Sequence, residues 1–246
     1  MKILVCITHV PDTTSKITFT DSDTKFNSTN VQYIIGPYDE YALARAVELR
    51  DANAGSTLTI VNIGGPETEP TIRKALAIGA DDAIRVNSEP LDSYFVAFQI
   101  AEIAKKHNYD LILMGRESID FNGNQVHGIV SELLNLPSIS PVMKLDIAGN
   151  RATLWKEIEG GKEVVEVNLP FVAGCQEPIA EWKIPNMRGI MSAKSKPLQI
   201  IEPVAVNDLI SAYKYELPAA KSGVKMIDAA TPELLFELLK NEAKVL

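Results

Sequence analysis

The first half of the chain alternates between short apolar runs and amphipathic stretches. Residues 3–8 read as a buried strand, and residues 39–52 as a helix with Leu43, Ala46 and Val47 on one face and Glu48, Arg50 and Asp51 on another. Thr57–Ile63 predicts a second strand, ended by Gly64-Gly65-Pro66, and a helix follows through residues 72–78 with Gly79 closing it. Asp82–Val86 predicts a third strand. In residues 92–107, Val96, Ile100, Ile103 and Ala104 keep the 3.6-residue period of a helix. The apolar run Leu111 to Met114 predicts a fourth strand that breaks at Gly115. A polar loop then leads into a helix with Val126, Ile129, Val130, Leu133 and Leu134 on one face.

Strands alternating with helices in units of this length predict an α/β fold, with a parallel sheet covered by helices on both faces, Rossmann-like and adenine-nucleotide-binding in type. Ligands on such sheets lie beyond the carboxyl ends of the strands, at a switch in strand order. The loops 64–66 and 115–128 both leave carboxyl ends. After Pro137 the period changes to two. Residues 142–147, 151–158 and 163–167 predict a β-meander with turns at Ala148-Gly149-Asn150 and Gly160-Gly161, extending the sheet or lying against it.

From Glu177 onward, Pro178, Pro185, Pro197 and Pro203 predict an irregular course, with helical character returning at residues 207–212 and at the C-terminus. There Thr231 is expected to cap a helix of about three turns, with Pro232 at its first position and Leu234, Leu235, Leu238 and Leu239 as an apolar stripe. Such a helix does not persist alone, and the long irregular lead-in favours a partner as the surface that covers it. The chain thus divides into an α/β nucleotide-binding domain, 1–181, and a partner-recognition loop with an extended C-terminal arm, 182–246.

Composition narrows the function classes. The chain has 246 residues, 46% apolar and 23% charged, with a net charge of −8. That acidic balance argues against nonspecific nucleic-acid binding and against docking on anionic lipid. Two cysteines in apolar runs, Cys6 and Cys175, read as buried reduced thiols. Three scattered histidines without a CxxC give no metal site. No apolar stretch approaches the ~20 residues of a bilayer span, and no export signal opens the sequence, so direct membrane insertion is not expected and a cytoplasmic location is.

The loop 115–128 is the strongest chemical candidate. A helix starting just past a strand end aims unpaired N–H groups at the crevice, a natural seat for phosphate. It carries neither a Walker lysine nor G-x-G-x-x-G, so a plain strand–helix connection stays open as the other reading. Asp120, Asn122, Asn124 and Gln125 can cap the helix or bond a ribose. Ser118, Asp120 and His127 lie too close on one turn to be taken as a catalytic triad, and no spacing demands a pair of catalytic carboxylates. A second unusual segment, 182–197, places Trp182, Ile184, Met187, Ile190 and Met191 among Pro, Gly and Lys. It is either a surface coil with its apolar side turned inward or an exposed anchor for a partner, a role that suits the adaptable methionine thioether.

Several motifs taken together carry a resemblance. ILVCITHVPDT (3–13), IIGPYDEYALARAVELR (34–50), ALAIGADDAIRV (75–86), GRESIDFNGNQVHG (115–128), NLP (135–137) and IMSAKSKP (190–197) occur in the order and spacing of the electron transfer flavoprotein beta subunit. The resemblance covers essentially the whole chain. It implies a non-enzymatic electron carrier that pairs with an alpha subunit. Electrons come from flavin dehydrogenases of the acyl-CoA dehydrogenase type and pass to a quinone oxidoreductase or another acceptor. The redox FAD is held mainly by alpha, and the beta subunit carries AMP as a structural nucleotide. By the same resemblance the AMP pocket is lined by Cys6, Gly36, Pro37, Tyr38, Asp39, Ile63 and the loop Ser118, Ile119, Asp120, Phe121, Asn122, Gly123, Asn124, Gln125, Val126, His127, Gly128 and Ile129. Thr13 and Tyr38 approach the flavin. Ile184, Met187, Ile190 and Met191 lie on the loop that recognises partner dehydrogenases, and the C-terminal arm wraps alpha.

The sequence departs from that pattern at defined places. Gly36-Pro37-Tyr38 replaces the usual N-P-F, Met187-Arg188-Gly189 stands where Leu-Pro-Asn is common, and Ser192 and Ser195 interrupt a lysine cluster. Electron-bifurcating relatives bind a second FAD in place of AMP, with a loop reading G-D-T-A-Q-V-G-P. Here residues 121–128 are closer, at Asn124, to the AMP-binding form. The bifurcating flavoprotein and an adenine-nucleotide-binding signalling module remain the alternatives.

Overall fold

The computed structural model describes residues 1–220 and 223–246 and divides into two compact units, Met1–Thr18 with Asn27–Ala212, and Phe19–Phe26 with Tyr213–Leu246. The strands are β1 (Lys2–Cys6), β2 (His9–Pro11), β3 (Phe19–Thr20), β4 (Lys25–Phe26), β5 (Tyr33–Ile35), β6 (Thr57–Ile63), β7 (Asp82–Val86), β8 (Leu111–Gly115), β9 (Ser138–Ala148), β10 (Arg151–Ile158), β11 (Gly161–Asn168), β12 (Phe171–Cys175) and β13 (Leu198–Ile201). The α-helices are α1 (Pro37–Ala52), α2 (Glu69–Ile78), α3 (Ser93–His107), α4 (Val126–Leu134), α5 (Met187–Ala193) and α6 (Glu233–Leu238).

The first unit is built on a nine-stranded sheet in the order β11-β10-β9-β12-β8-β1-β6-β7-β13. The run from β9 to β13 is parallel throughout; β10 and β11 return antiparallel. Alternate residues along each strand face opposite sides, and two cores result. Ile3, Val5, Leu58, Ile60, Leu111 and Leu113 pack beneath α1 and α2 with Leu43, Val47, Ile72 and Leu76. Leu4, Val61, Ile112 and Val172 face the other way, against Phe95, Ile100 and Ile103 of α3 and Val130 of α4. From β1 the chain winds outward through β6 and β7, then crosses back to lay β8 on the far side of β1. The switch in strand order falls between β1 and β8, where a right-handed α/β sheet opens a crevice at its carboxyl edge.

The structure agrees with the α/β reading and resolves what the pattern left open. The meander extends the sheet as its outer edge. The run Phe171–Cys175, which the sequence marks only as apolar surroundings for Cys175, is a fully buried parallel strand between β8 and β9. Residues 177–205, expected to be irregular, contain α5 and the edge strand β13. Their prolines punctuate elements instead of abolishing them: Pro185 precedes Asn186, whose side chain caps α5 at Gly189 N (2.8 Å), and Pro197 and Pro203 flank β13. Residues 207–212 are not helical. Asp92, whose Oδ1 caps α3 at Phe95 N (2.7 Å), takes the Leu209 and Ile210 N–H groups on its Oδ2 and holds the backbone away from a helix.

In the second unit the β3–β4 hairpin meets the arm through a stacked Phe19–Tyr215 pair, with ring centroids 5.2 Å apart, and through Tyr215 N donating to Asp23 O (2.8 Å). The terminal helix starts later than expected. Thr231 donates its hydroxyl to Asp228 O and does not cap; Pro232 occupies the cap position, and the last turn loosens into a π-helical turn over Leu239–Ala243. No residue of α6 is buried. Among the described residues no helix is long and apolar enough to cross a membrane.

Candidate functional site

At the switch point the ends of β1 and β8 are tied by one side chain. Pro37 starts α1, as proline suits a first helical position, and Gly36 O accepts the Glu40 N–H (3.0 Å). Two residues on, the Asp39 carboxylate turns into the sheet edge and is 3% exposed. Its Oδ2 accepts from Thr8 N (2.8 Å) and Thr8 Oγ1 (2.6 Å), just past β1; its Oδ1 accepts from Gly115 N (2.7 Å), the last residue of β8. Gly115 must be small: a Cβ there would lie 2.6 Å from Asp39 Oδ1 and 2.7 Å from Tyr38 Cβ. Burial raises the Asp39 carboxyl to about 6 against the opposing pull of its three hydrogen bonds, with a smaller upward push from Asp120.

The wall facing α3 and α4 is apolar. Cys6, Ile63 and Met114, at the ends of three strands, share one apolar cluster with Val126 and Ile129 of α4. Burial, then the Asp39 charge, pushes the Cys6 thiol well above its usual range, which keeps it protonated and unreactive. On the other side Tyr38 lies under the Arg116 guanidinium, 4.8 Å from the ring centroid. Arg116 is also held by Glu117 (2.9 Å) and by Gln176 Oε1 (3.0 Å) past β12.

The loop from Ser118 to Gln125 joins the end of β8 to α4 and is bonded largely to itself. The Ser118 hydroxyl donates to the Asp120 carboxylate, Phe121 N donates to Asp120 Oδ1 (3.0 Å), and Asn122 N donates to Ser118 O (2.8 Å). Asn122 and Asn124 adopt left-handed backbone, a conformation Asn tolerates, while Phe121 is 71% exposed. Asn124 Oδ1 lies 2.8 Å from His127 Nε2, and Ser138 Oγ lies 3.3 Å from its Nδ1; burial lowers this histidine's pKa and keeps it neutral near pH 7. With Asp120 bonded inside its own turn and Asn124 on His127, no side chain caps α4. Its first-turn N–H groups therefore stay available to an anion, and a Cβ built on Gly128 meets open space. Ile119 belongs to the same turn. Thr13 does not join: it sits in the exposed turn 12–15, where Asp12 Oδ1 takes Thr14 N and Oγ1, and none of the bonds that build the crevice reaches it.

Ser118, Asp120 and His127 form no catalytic triad, because His127 bonds Asn124 and Ser138, not Ser118. Among the described residues no cluster of His, Cys, Asp and Glu could hold a metal ion. Sequence reasoning missed Thr8, Arg116, Glu117 and Gln176. The sequence offered a signal for Thr8, a hydroxyl immediately after an apolar strand; the others follow only from the β8–β12 pairing. Buried polar groups continue along the edge. Asn62 Nδ2 donates to Ile7 O (2.9 Å) and Arg85 Nη1 donates to Gly64 O (2.8 Å), while His9 stacks on Tyr33 at 4.3 Å and bonds Thr71 Oγ1 (2.8 Å).

The segment 184–191 is displayed, not tucked inward. Ile184 and Met187 are about three-quarters exposed, Met191 nearly so, and Ile190 less.

The family model of the electron transfer flavoprotein domain matches residues 23–206. The electron transfer flavoprotein subunit beta of Syntrophomonas wolfei is 36% identical over 251 residues, spanning 100% of this chain and 98% of the relative. The Bacillus subtilis protein of the same name is 33% identical over 264 residues, covering both chains fully. The mitochondrial subunit beta of Arabidopsis thaliana is likewise 33% identical with full coverage of both. An α/β crevice at the strand switch and a full-length match to these relatives lead to one conclusion: the chain belongs to the electron transfer flavoprotein family, as a beta subunit.

Proposed function

We propose that this chain carries electrons as the beta half of an alpha–beta heterodimer and performs no substrate chemistry of its own. It accepts them, through a flavin held mainly by the alpha subunit, from flavoenzymes of the acyl-CoA dehydrogenase type, as in fatty acid oxidation. It delivers them to a quinone oxidoreductase or a comparable acceptor in the cytoplasm. The domain division follows function: residues 1–181 hold a nucleotide, and 182–246 recognise partners.

The observation that carries the nucleotide assignment is the start of α4 beyond the end of β8, which no side chain caps. We assign AMP to it, with its phosphate at the α4 N-terminus. The apolar wall of Cys6 and Ile63 suits a base, and the Asn124–His127 pair suits a phosphate or ribose edge. FAD, when bound in the heterodimer, supplies the one- and two-electron chemistry; Tyr38 and Thr13 are the residues of this chain assigned to approach it. Ile184, Met187, Ile190 and Met191 are the docking surface for the donor flavoenzyme. Their exposure supports this, since Ile184 just before α5 and Met187, Ile190 and Met191 on it gather exposed apolar side chains on one short segment, as interaction surfaces do.

The test is the nucleotide count of the co-expressed heterodimer. One FAD and one AMP per heterodimer is the expected result. Two FAD would replace the carrier reading with a bifurcating one. A stable monomer with no affinity for any alpha subunit would refute both.

A further inference from the structure

We infer that Lys196 and Arg73 are positioning residues of the docking surface: they clamp α5 to α2, so that Met187 and Met191 are offered on a preformed element. The inference rests on the reading of 184–191 as the site for the electron-donating flavoenzyme.

The clamp is reciprocal. Arg73, on α2, reaches across and donates from Nη1 to Ala193 O and to Lys196 O, both at 2.9 Å, where α5 ends and β13 is about to begin. Lys196, from that same connection, reaches back and donates from Nζ to Leu76 O (2.9 Å) and Ala80 O (2.5 Å), carbonyls at the C-terminal end of α2. Each cation thus closes on carbonyls of the other segment. An ammonium at a helix C-terminus also meets the negative end of the helix dipole, and charge-assisted bonds of this kind are the stronger ones. Arg73 is itself steadied by Glu69 one turn earlier (3.2 Å).

The backbones touch between the two cations. A Cβ on Gly189 would lie 2.3 Å from Ala77 O, so α5 rests directly on α2 at a point only glycine permits. Ala193 is 2% exposed at the far end of the same contact. Asn186 caps the first turn of α5. A seven-residue helix does not hold itself together in water; these contacts with α2 supply what its length cannot. The side away from α2 carries Met187 and Met191, both exposed. A surface fixed in advance loses less freedom on association than one that orders on contact.

The test uses the purified heterodimer and an acyl-CoA dehydrogenase as electron donor. Lys196→Met is expected to raise KM for the heterodimer about tenfold with kcat within twofold and flavin and nucleotide content unchanged, while Lys196→Arg stays near wild type. Met187→Ala is the control for the docking reading and should also raise KM. A raised KM for Met187→Ala with no change for Lys196→Met would overturn the clamp and leave the docking surface standing. No change for either variant would remove the docking reading and the clamp with it. Hydrogen exchange on the unaltered heterodimer gives a check that needs no variant. Amides of 187–193 that exchange far slower than an unfolded peptide support the preformed helix, and exchange at the unfolded rate overturns it.

Discussion

Replacing Asp39 by asparagine gives the sharpest test of how the crevice is held. The carboxyl rises from 3.8 to about 6 because it is buried; that difference corresponds to about 3 kcal/mol. A raised folded-state pKa means that the folded chain holds this proton more tightly than the unfolded chain does. The resulting stability is fully present below pH 3.8 and is lost as pH rises through about 6. The amide introduced by D39N cannot ionise and has no such dependence. Like the protonated carboxyl, it offers one carbonyl oxygen as acceptor and a donor group beside it, so near pH 4 the two proteins bond Thr8 and Gly115 in much the same way and should be close to equal in stability. Near pH 7 the unaltered protein carries a buried charge and D39N does not, so D39N should be the more stable form by up to about 3 kcal/mol. Urea unfolding of both proteins across pH 4–7, compared as a difference, cancels every other titrating group. Parallel curves would refute the argument. So would a swing in the opposite sense, which would mean that the three hydrogen bonds outweigh burial and the carboxyl sits low.

Three further outcomes are expected. Gly115→Ala drives a Cβ against Asp39 Oδ1 and Tyr38 Cβ and should cost about 1–3 kcal/mol by overpacking, measured by the urea midpoint, with nucleotide content reduced. His127→Leu removes the ring that Asn124 Oδ1 and Ser138 Oγ engage; the purified heterodimer should lose most of its AMP, read by chromatography of the acid extract, while its FAD content holds. Deleting residues 213–246 removes most of the second unit but neither core of the first. The shortened chain should keep its far-ultraviolet circular dichroism per residue in the α/β unit and fail to co-purify with an alpha subunit.

The parts of the fold that were legible in the sequence are those where periodicity decides. β6, β7 and β10 fall on the residues their patterns mark, and α1 through α4 are displaced by no more than a few. The parts that were hidden depend on partners distant in the chain. β12 is five buried residues with no alternation, which periodicity cannot separate from any other apolar run. α5 is too short to show a period and owes its shape to Arg73, Lys196 and the bare backbone of Gly189. The expectation of a helix at 207–212 failed because Asp92, over a hundred residues away, claims two of the N–H groups that a helix would need. The site behaves in the same way. The loop 115–128 reads as an anion seat from its place after a strand, but the tie from Asp39 to Thr8 and Gly115 appears only when β1 and β8 lie side by side.

The arm that ends the chain has a consequence for the protein's life before assembly. Leu217, Val224, Met226 and Phe236 are each more than half exposed, and no residue of α6 is buried. A newly made chain without its alpha subunit therefore meets the cell with exposed apolar side chains along its last residues, the kind of segment that chaperones and proteases engage first. Covering the arm would then do more than hold two subunits together. It would set the lifetime of each beta chain by the supply of alpha, so that the two accumulate in equal numbers and unpaired copies are cleared.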